Sequence, residues 1–332
     1  MSSELRQDLV SGDWIIVSTN RKDRPRQFAK IFKKRKVSAK SGCPFEDPQK
    51  NGNPEPIFVY PKGAGKNDWK IQILGNKYPA LSRPVNTCAP VFKNGPYTTT
   101  EALGYQDLAI TRDHHKNFSD LPLIEATQVL KGFQERYNMI LKDSCISYIS
   151  IFQNWGPTAG ASVYHPHYQS IAIPVVPLHI KISINGSDRF YKEHKKCVYC
   201  VMIEHEIKNK RRIIYENEEA VVFTPFFSES PFEVRVLPKK HFSYFEDTPE
   251  KALKGTAAAL QYALKKVTKN LNDPDYNFFI HTAPIKNKEK HTHYHWHIEI
   301  RPKFFNIAGF ELGTNLEINE VDPDKAAKIL RK

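Results

Sequence analysis

The sequence has few cysteines and no long apolar run, and both absences narrow the class of protein. No stretch reaches the roughly 18 consecutive apolar residues of a transmembrane helix. The opening Met-Ser-Ser-Glu-Leu-Arg-Gln-Asp contains no apolar segment of signal-peptide length, so we expect no leader and no membrane partner. The 5 cysteines are an odd number with one Cys-x-x-Cys pair, which indicates a reduced, cytoplasmic protein with cysteine metal ligands rather than a disulfide scaffold.

Acidic residues are also fewer than basic ones. The chain has 36 Asp and Glu against 49 Lys and Arg, which gives a formal net charge of +13. This balance favours an anionic ligand and is compatible with nucleic acid, although a solvated lysine-rich surface explains it equally well. The basic clusters have few interleaved aromatic residues, so they do not resemble a base-stacking platform. With 332 residues the chain is long enough for two globular domains.

The most informative stretch is Asn154–Gln169, which reads Asn-Trp-Gly-Pro-Thr-Ala-Gly-Ala-Ser-Val-Tyr-His-Pro-His-Tyr-Gln. The small residues at its start let backbone amides approach an anion closely, as in phosphate-cradling loops. His165, His167 and Gln169 follow at intervals of two, so an extended strand would point all three to one face. A lone His-x-His is often a pair of surface histidines, but the glycine-rich lead-in favours a functional site.

A second histidine array near the C-terminus reveals an internal repeat. Each half has a Cys-led tetrapeptide, a histidine at a strand end, an amphipathic helix, a strand and an alternating array. The arrays match directly as Tyr164–Gln169 (Tyr-His-Pro-His-Tyr-Gln) and Tyr294–Glu299 (Tyr-His-Trp-His-Ile-Glu). We therefore predict an α+β fold of two tandem duplicated domains, residues 1–185 and 190–332, each an antiparallel sheet covered by a long helix. Polar residues 180–195 are predicted to form the linker.

The repeat sorts the candidate metal ligands into two sets. The second half offers two cysteines and two histidines, which is a ligand set of tetrahedral structural zinc sites. The first half has glutamate in place of the second cysteine, which predicts a harder and more exchangeable site. The alternative is that these are ordinary buried core residues. The predicted ligands are Cys43, Glu46, His114 and His165 in the first half and Cys197, Cys200, His241 and His295 in the second.

Once His165 is assigned to metal, His167 remains as the free imidazole beside the phosphate loop. A neutral imidazole can attack phosphorus and form a covalent phosphoramidate, which divides one difficult transfer into two easier steps. Gln169, on the same face, would donate to a phosphate oxygen. The pattern therefore predicts covalent catalysis by His167 with Gln169 as its partner.

Further residues would hold the phosphates. Ser162 and the loop amides would stabilise the developing charge, and Arg21 and Arg24 would balance a pyrophosphate. In the second half no glycine-rich loop precedes His297, so we predict a structural or substrate-framing role for that half.

The pattern Asn-x-Gly-x-x-x-Gly-x-Ser-x-x-His-Pro-His-x-Gln, here Asn154 to Gln169, resembles the active-site signature of galactose-1-phosphate uridylyltransferases, a family of the histidine-triad superfamily. The resemblance covers nearly the whole chain and implies two histidine-triad-like domains. Its further matches are Arg6-x-Asp8, Gly12-x-Trp14, Arg21-x-x-Arg24-Pro25, Asn76-x-Tyr78-Pro-Ala-Leu81, Gly309-Phe-Glu311 and the C-terminal stretch Asp322–Arg331.

The resemblance implies that His167 takes up a nucleoside monophosphate and that Gln169 stabilises the intermediate. It also implies structural zinc, as one or two ions with iron as an alternative, together with a homodimer and a role in galactose and carbohydrate metabolism. In the family, the loop at Asn76 serves the base and ribose, and the segment at Glu311 serves the hexose. The complete set of predicted substrate-binding residues is Arg21, Arg24, Asn76, Asn154, Gly160, Ser162 and Glu311.

Three residues depart from the family pattern. Glu46 stands where many members have a second cysteine, which weakens the predicted affinity of the first site for zinc. Trp155 replaces a basic residue and Tyr168 replaces a small one. Both are expected to add bulk near the nucleophile and to alter the acceptor.

Our leading hypothesis is a nucleotidyltransferase that moves UMP from UDP-glucose to galactose 1-phosphate, or a related sugar 1-phosphate, by a ping-pong mechanism. The enzyme alternative is a nucleotide-sugar phosphorylase in which inorganic phosphate accepts AMP from ADP-glucose, because plant ADP-glucose phosphorylases look similar in fold and in the second Cys-x-x-Cys site. A basic, zinc-bearing nucleic-acid-binding protein is the non-enzyme alternative, which the intact loop and the lack of a recognition-helix pattern disfavour. The expected partners are a nucleotide sugar and a sugar phosphate.

Overall fold

A computed structural model of the chain describes residues 3–19, 35, 37–83, 88–304 and 308–332. The strands are β1 (Glu4–Gln7), β2 (Trp14–Val17), β3 (Pro56–Tyr60), β4 (Ile71–Gly75), β5 (Val91–Asn94), β6 (Tyr97–Thr100), β7 (Tyr105–Thr111), β8 (Tyr148–Trp155), β9 (His167–Ile173), β10 (Ile213–Glu216), β11 (Ala220–Phe223), β12 (Val234–Pro238), β13 (Tyr276–His281), β14 (His297–Pro302) and β15 (Ile318–Asn319). The helices are α1 (Leu123–Ile140), α2 (Leu178–His194), α3 (Val198–Asn209), α4 (Glu250–Asn270), α5 (Gly309–Thr314) and α6 (Pro323–Leu330).

The main sheet has 10 strands in the order β10-β11-β12-β14-β13-β8-β9-β7-β4-β3, and a smaller sheet has the order β1-β2-β15. All neighbours in the main sheet are antiparallel. Its two halves repeat the same units, β7-α1-β8-β9 and β12-α4-β13-β14, and meet where β8 pairs with β13. The predicted α+β fold, with a duplicated antiparallel sheet and one long helix per half, is confirmed. The division at residues 185–190 stays a prediction.

The helices α1 and α4 cover one face of the main sheet because each carries an apolar stripe at helical spacing. Their buried stripes pack against alternate strand residues in one continuous core. Pro249 stands just before α4, where the missing amide hydrogen of proline is harmless. Among the described residues, no helix is both long enough and apolar enough to cross a membrane.

Residues 178–194 form helix α2, so the predicted linker at 180–195 is wrong. The helix has a narrow buried side that contains Ile180 and Ile184 but also Gly186 and Ser187. A Cβ at Gly186 would overlap the carbonyl group of Val10, so the small residue permits a close backbone approach. The segment is more polar than α1, so its composition resembles that of a linker, although its apolar residues recur at helical spacing.

Strand alternation places Trp155 and Tyr168 on the face covered by α1 and α4, where both are buried in the core. The ring of Tyr168 packs against Phe118 and Phe278. The nucleophile candidate His167 precedes Tyr168 in β9, so its side chain points to the opposite face, which we call the site face. The expectation that Trp155 and Tyr168 add bulk beside the nucleophile is therefore wrong.

Two of the cysteines form a disulfide, between Cys88 and Cys145, which corrects the expectation of a fully reduced chain. Their Cα atoms lie 5.1 Å apart across 57 residues of sequence. The bond joins the segment before the β5–β6 hairpin to the turn after α1. The remaining three cysteines, all predicted metal ligands, are free thiols.

Candidate functional site

His167 is the first residue of β9 and is buried on the site face. Its Nδ1 lies 2.9 Å from the carbonyl oxygen of His165. Since a carbonyl only accepts, Nδ1 carries the hydrogen and Nε2 keeps its lone pair. Burial lowers the pKa of His167, more than the hydrogen bond to His165 raises it, so the neutral form dominates at neutral pH. His167 thus has the tautomer and the charge state of a nitrogen nucleophile.

Two side-chain amides flank His167 on the site face. Gln169 lies two residues along β9, and Asn154 lies on the paired strand β8. The side-chain oxygen of each accepts a hydrogen bond from the side-chain amide of a second residue. We call Asn154 and Gln169 the inner amides, and their partners Asn277 and Gln106 the outer amides. Asn154 Oδ1 accepts from Asn277 Nδ2 at 2.8 Å, and Gln169 Oε1 accepts from Gln106 Nε2 at 3.4 Å. The amide nitrogens of Asn154 and Gln169 remain as candidate donors to a phosphate.

The glycine-rich loop between β8 and β9 is held by internal hydrogen bonds. Gly156 and Gly160 both have φ of +89°, which side-chain-bearing residues rarely adopt. The amides of residues 159–161 donate within the loop, and the Thr158 amide donates to Asp275 Oδ2 at 2.8 Å. These four amides have acceptors within the protein. That the loop contacts a phosphate stays a prediction, with the side chains of Asn154 and Gln169 as further candidate donors.

The loop at Asn76, predicted to serve the base and ribose, joins this site through Gln106. The Asn76 amide donates to the Gln106 carbonyl at 2.8 Å, and Asn76 Oδ1 accepts from the Tyr78 amide at 2.9 Å. The Ala80 amide donates to Gln106 Oε1 at 2.8 Å. The ring of Tyr78 is 79% exposed, which suits a surface that stacks on a ligand.

The remaining predicted substrate residues are less closely joined to His167. Ser162 is exposed at the end of the loop. Glu311 lies in α5 of the second half near Glu317, whose pKa is raised by burial and then by neighbouring acidic charges that include Glu311. Glu317 lines a cavity of about 310 Å³. Arg21 and Arg24 lie outside the described residues.

The first predicted metal set comes together beside the nucleophile. The ligand atoms of Cys43, His114 and His165 all lie within 4.8 Å of one another. Glu46 Oε1 lies 2.9 Å from His114 Nδ1 and 3.7 Å from His165 Nδ1. Ligands of a tetrahedral zinc ion are expected about 3.3–3.8 Å apart, which the 3.7 Å distance fits, whereas Glu46 Oε1 and His114 Nδ1 would have to separate by a few tenths of an ångström around a metal. Glu46 Oε1 and His114 Nδ1 are buried, and outside this cluster neither has a polar partner among the described residues, as expected of atoms that face a metal.

The histidines of this set are oriented by backbone carbonyls. His114 Nε2 lies 3.0 Å from the Ser38 carbonyl, and His165 Nε2 lies 2.6 Å from the Thr111 carbonyl. Each ring therefore presents a deprotonated Nδ1 to the ligand cluster, a second-shell pattern typical of metal sites. Burial lowers the pKa of His165 to about 4, which keeps it neutral for coordination.

The second predicted metal set also comes together. The ligand atoms of Cys197, Cys200, His241 and His295 lie within 4.8 Å of one another. Cys200 Sγ lies 3.4 Å from His241 Nδ1 and 3.6 Å from His295 Nδ1, which again matches tetrahedral zinc. A hydrogen bond from Cys200 lowers the pKa of Cys197, so the pair readily supplies a thiolate. The residues fit zinc in both halves.

The second half carries a charged cluster where the first half has its amides. His297 and Glu299 of β14 match the histidine and glutamine of β9. Burial alone would raise the pKa of Glu299, but Arg301, His281 and Arg235 hold it well below its usual range. His281, His297 and Glu299 have ligand atoms within 4.8 Å of one another and form a third group that could hold a metal. An ionised carboxylate, which only accepts hydrogen bonds, therefore stands here where the first half has the side-chain amide of Gln169.

Sequence reasoning missed several residues of the site. Asp275 and Asn277 come from the second half, at the start of β13, and Gln106 comes from β7. Each is a single polar residue with no spacing signal, and only the pairing of β8 with β13 and of β7 with β9 brings it to the site. The alternation of polar residues in these strands was the only available hint.

Two family models match the chain. One is described as "Galactose-1-phosphate uridyl transferase, N-terminal domain" and matches residues 1–177. The other is a domain of unknown function, DUF4921, and matches residues 109–331. Together they cover the repeat from end to end.

Individual relatives span the full length of the chain. An ADP-glucose phosphorylase of Arabidopsis thaliana is 34% identical over 333 residues, which covers 100% of this chain and 93% of the relative. A galactose-1-phosphate uridylyltransferase of Thermotoga maritima is 28% identical over 345 residues, which covers 99% and 98%. The crystal structure of an Arabidopsis thaliana ADP-glucose phosphorylase with bound ADP-glucose matches with a TM-score of 0.86 and 33% identity, covering 100% of this chain and 99% of that one. A uridylyltransferase structure matches with a TM-score of 0.75 and 25% identity, covering 99% and 97%.

Proposed function

We propose, from the premise that this chain belongs to the galactose-1-phosphate uridylyltransferase family, that it transfers a nucleoside monophosphate from a nucleotide sugar through a covalent intermediate on His167. The observation that carries the proposal is the hydrogen bond from His167 Nδ1 to the His165 carbonyl, which leaves Nε2 unprotonated on the site face. The family consists of enzymes, which supports the assignment of this chain as one.

In the first step, His167 Nε2 attacks the α-phosphorus of the nucleotide sugar. The new N–P bond forms as the bond from that phosphorus to the bridging oxygen breaks, and the sugar 1-phosphate leaves with the bonding electrons. The amide nitrogens of Asn154 and Gln169 donate to the non-bridging oxygens as negative charge grows there. In the second step an acceptor phosphate oxygen attacks the same phosphorus and releases neutral His167.

The two predicted metal sets have a structural part in this proposal. Zinc bound by these residues would act as a fixed tetrahedral cross-link rather than as a catalyst. His165 connects the first set to the nucleophile, because its side chain faces the ligand cluster while its carbonyl fixes the His167 tautomer. Zinc, with iron as an alternative, therefore remains the proposed cofactor, and a homodimer in the cytoplasm remains the proposed state.

Two donor–acceptor pairs suit the same chemistry. The 34% identity to the ADP-glucose phosphorylase supports ADP-glucose with inorganic phosphate as acceptor, which would yield ADP and glucose 1-phosphate. The match of residues 1–177 to the uridyl transferase model supports UDP-glucose with galactose 1-phosphate, which would yield UDP-galactose and glucose 1-phosphate. In both reactions His167, Asn154 and Gln169 would have the same roles.

The test is product formation from each pair. Purified protein is mixed with ADP-glucose and phosphate, or with UDP-glucose and galactose 1-phosphate, and nucleotides are separated by chromatography. We expect turnover with one pair and none in the His167→Asn variant, whose amide can still donate to the His165 carbonyl but has no atom at Nε2. The control is His194→Asn, a change at the exposed end of α2.

Two outcomes would contradict the proposal. One is retention of transfer by His167→Asn, which would place the nucleophile elsewhere. The other is failure of folded, zinc-loaded wild-type protein to turn over either pair.

A further inference from the structure

The inner amides of the site act as donors only if their nitrogens face the substrate, and a side-chain amide can turn either way. Exchanging oxygen and nitrogen reverses donor and acceptor with little change of shape. Asn154 and Gln169 each carry both groups, on the same sheet face as His167 in the paired strands β8 and β9. Something must therefore fix which end of each amide faces the transferred phosphate.

Asn277 fixes the orientation of Asn154. Its Nδ2 donates at 2.8 Å to the carbonyl oxygen of Ala159 and at 2.8 Å to Asn154 Oδ1. A backbone carbonyl only accepts, so the end of Asn277 that faces it must be the nitrogen. The Asn154 atom bound to that nitrogen must then be the oxygen. Asn154 Nδ2 is left facing Gly160, where an added Cβ would lie 3.6 Å from it.

Gln106 fixes the orientation of Gln169 by the mirror argument. Its Oε1 accepts from the backbone amide of Ala80 at 2.8 Å. A backbone amide only donates, so this end of Gln106 must be the oxygen and its other end the nitrogen. That nitrogen lies 3.4 Å from Gln169 Oε1, which leaves Gln169 Nε2 free to donate. β7 and β9 are paired strands, and Gln106 lies diagonally across from Gln169.

We propose that Asn277 and Gln106 are positioning residues that hold the amides of Asn154 and Gln169 as hydrogen-bond donors toward the transferred phosphoryl group. The proposal rests on the proposed function and deepens it. Asn277 lies in β13, a strand of the second half that pairs with β8 of the first half. The active site of the first half therefore depends on a residue of the second half. The outer amides touch the inner amides rather than the reacting atoms.

The kinetic test uses isosteric acids, Asn277→Asp and Gln106→Glu, in the full-length protein. A carboxylate cannot donate, so each inner amide would turn its nitrogen toward the new charge and its oxygen toward the substrate. We expect kcat to fall about 100-fold to 1,000-fold, the loss typical of removing one donor to a developing oxyanion. The KM for the nucleotide sugar should change by less than about threefold. Asn209→Asp, the same change at an exposed amide in α3, is the matched control.

Double variants separate positioning from a general structural effect. In an Asn154→Ala background, Asn277→Asp should lower kcat no further, because the amide through which it acts is gone. The same should hold for Gln106→Glu in a Gln169→Ala background. Additive losses in both cycles, or kcat within twofold of wild type in both single variants, would overturn the proposal.

An NMR measurement that does not depend on turnover distinguishes a failure of the positioning proposal from a failure of the proposed function. The side-chain NH₂ signals of Asn154 and Gln169 are assigned by NMR from the Ala variants and compared with those in Asn277→Asp and Gln106→Glu. We expect each signal to shift strongly only when its own outer amide is changed. Unshifted signals would overturn the orientation even in an active enzyme. If the wild type transfers nothing but the signals shift as expected, the proposed function fails while the orientation stands.

Discussion

At the residue scale, the chemistry depends on backbone atoms that hold side chains in one state. The carbonyl of His165 sets the tautomer of His167, and the carbonyl of Ala159 sets the amide of Asn277, which sets that of Asn154. Residues of β8, β9, β13 and the loop between β8 and β9 make these contacts, so the donors are oriented before substrate binds, which favours electrostatic stabilisation of a transition state.

Gly156 is predicted to tolerate no side chain. Its φ is +89°, and a Cβ there would overlap the carboxylate of Asp275, which also binds Thr158. We expect Gly156→Ala to lower the free energy of unfolding by about 1–3 kcal/mol, because the backbone would be strained and the Asp275 carboxylate displaced from its contact with Thr158. Urea denaturation measures this. Gly313→Ala, where a Cβ meets nothing within 4 Å, should lose nothing, and an equal loss in both variants would contradict the account.

At the scale of elements, apolar stripes predicted α1 and α4, the helices that contribute most to the core, whereas the more polar helix α2 was predicted to be a linker. The stripes of α1 and α4 are regular and apolar, so their positions could be predicted from the sequence. Helix α2 buries Gly186 and Ser187 beside only two isoleucines, so its sequence is that of a polar linker. Alternation predicts which strand residues share a face of the sheet, but it does not predict which face is the core. Trp155 and Tyr168 could therefore be assigned to the core only after His167 had been assigned to the site face.

Leu260 tests the contribution of the α4 stripe. Its side chain is fully buried against the main sheet. Leu260→Ala should lower the free energy of unfolding by about 2–5 kcal/mol through lost burial and the cavity left behind. The control is Lys254→Ala on the exposed side of the same helix, which should stay within about 0.5 kcal/mol of wild type. A loss below about 1 kcal/mol at Leu260 would mean that α4 is not packed as described.

The charged cluster between β12 and β14 predicts a pH-dependent stability. Burial, and then the charge of Glu299, raises the pKa of Glu233 to about 8. Between about pH 5 and pH 8 the folded state therefore holds a proton that the unfolded state has released, so this group lowers stability as pH rises. Glu233→Gln removes the titration, so its stability relative to wild type should increase across this range, by at most about 1.4 kcal/mol per pH unit.

Thermal unfolding at several pH values measures the effect of Glu233→Gln. The control is Glu218→Gln, whose side chain is 88% exposed and which should give the same difference at every pH. A flat difference for Glu233→Gln, or one that falls as pH rises, would contradict the assigned direction of the shift.

At the scale of the whole molecule, the sequence predicted the repeat but not the pairing of β8 with β13 that connects its two halves. The arrays, both ligand sets and the duplicated fold follow from matched motifs. Asp275, Asn277 and Gln106 are lone polar residues, and strand pairing alone brings them to the loop and the amides. Cys88 and Cys145 are 57 residues apart and carry no spacing signal, so their bond was equally hidden.

The difference between the ligand sets predicts unequal zinc retention. Glu46 supplies a carboxylate where the second half has a thiolate, and carboxylates bind zinc less firmly than thiolates. A chelator should therefore remove the first-half ion before the second-half ion, and Glu46→Cys should slow the first release. Zinc content against time, measured by mass spectrometry, gives both rates. Loss of the second-half ion first, which Cys200→Ala would identify, contradicts this.

The most direct test of the account is the intact mass of the protein after mixing with ADP-glucose or with UDP-glucose, without acceptor. Covalent catalysis by His167 predicts that the wild type gains one adenylyl or one uridylyl group, which identifies the base, and that addition of the acceptor removes this group. His167→Asn should gain neither group. A wild type that stays unmodified with both donors while turning over substrate, or a His167→Asn protein that is modified, would contradict covalent catalysis by His167.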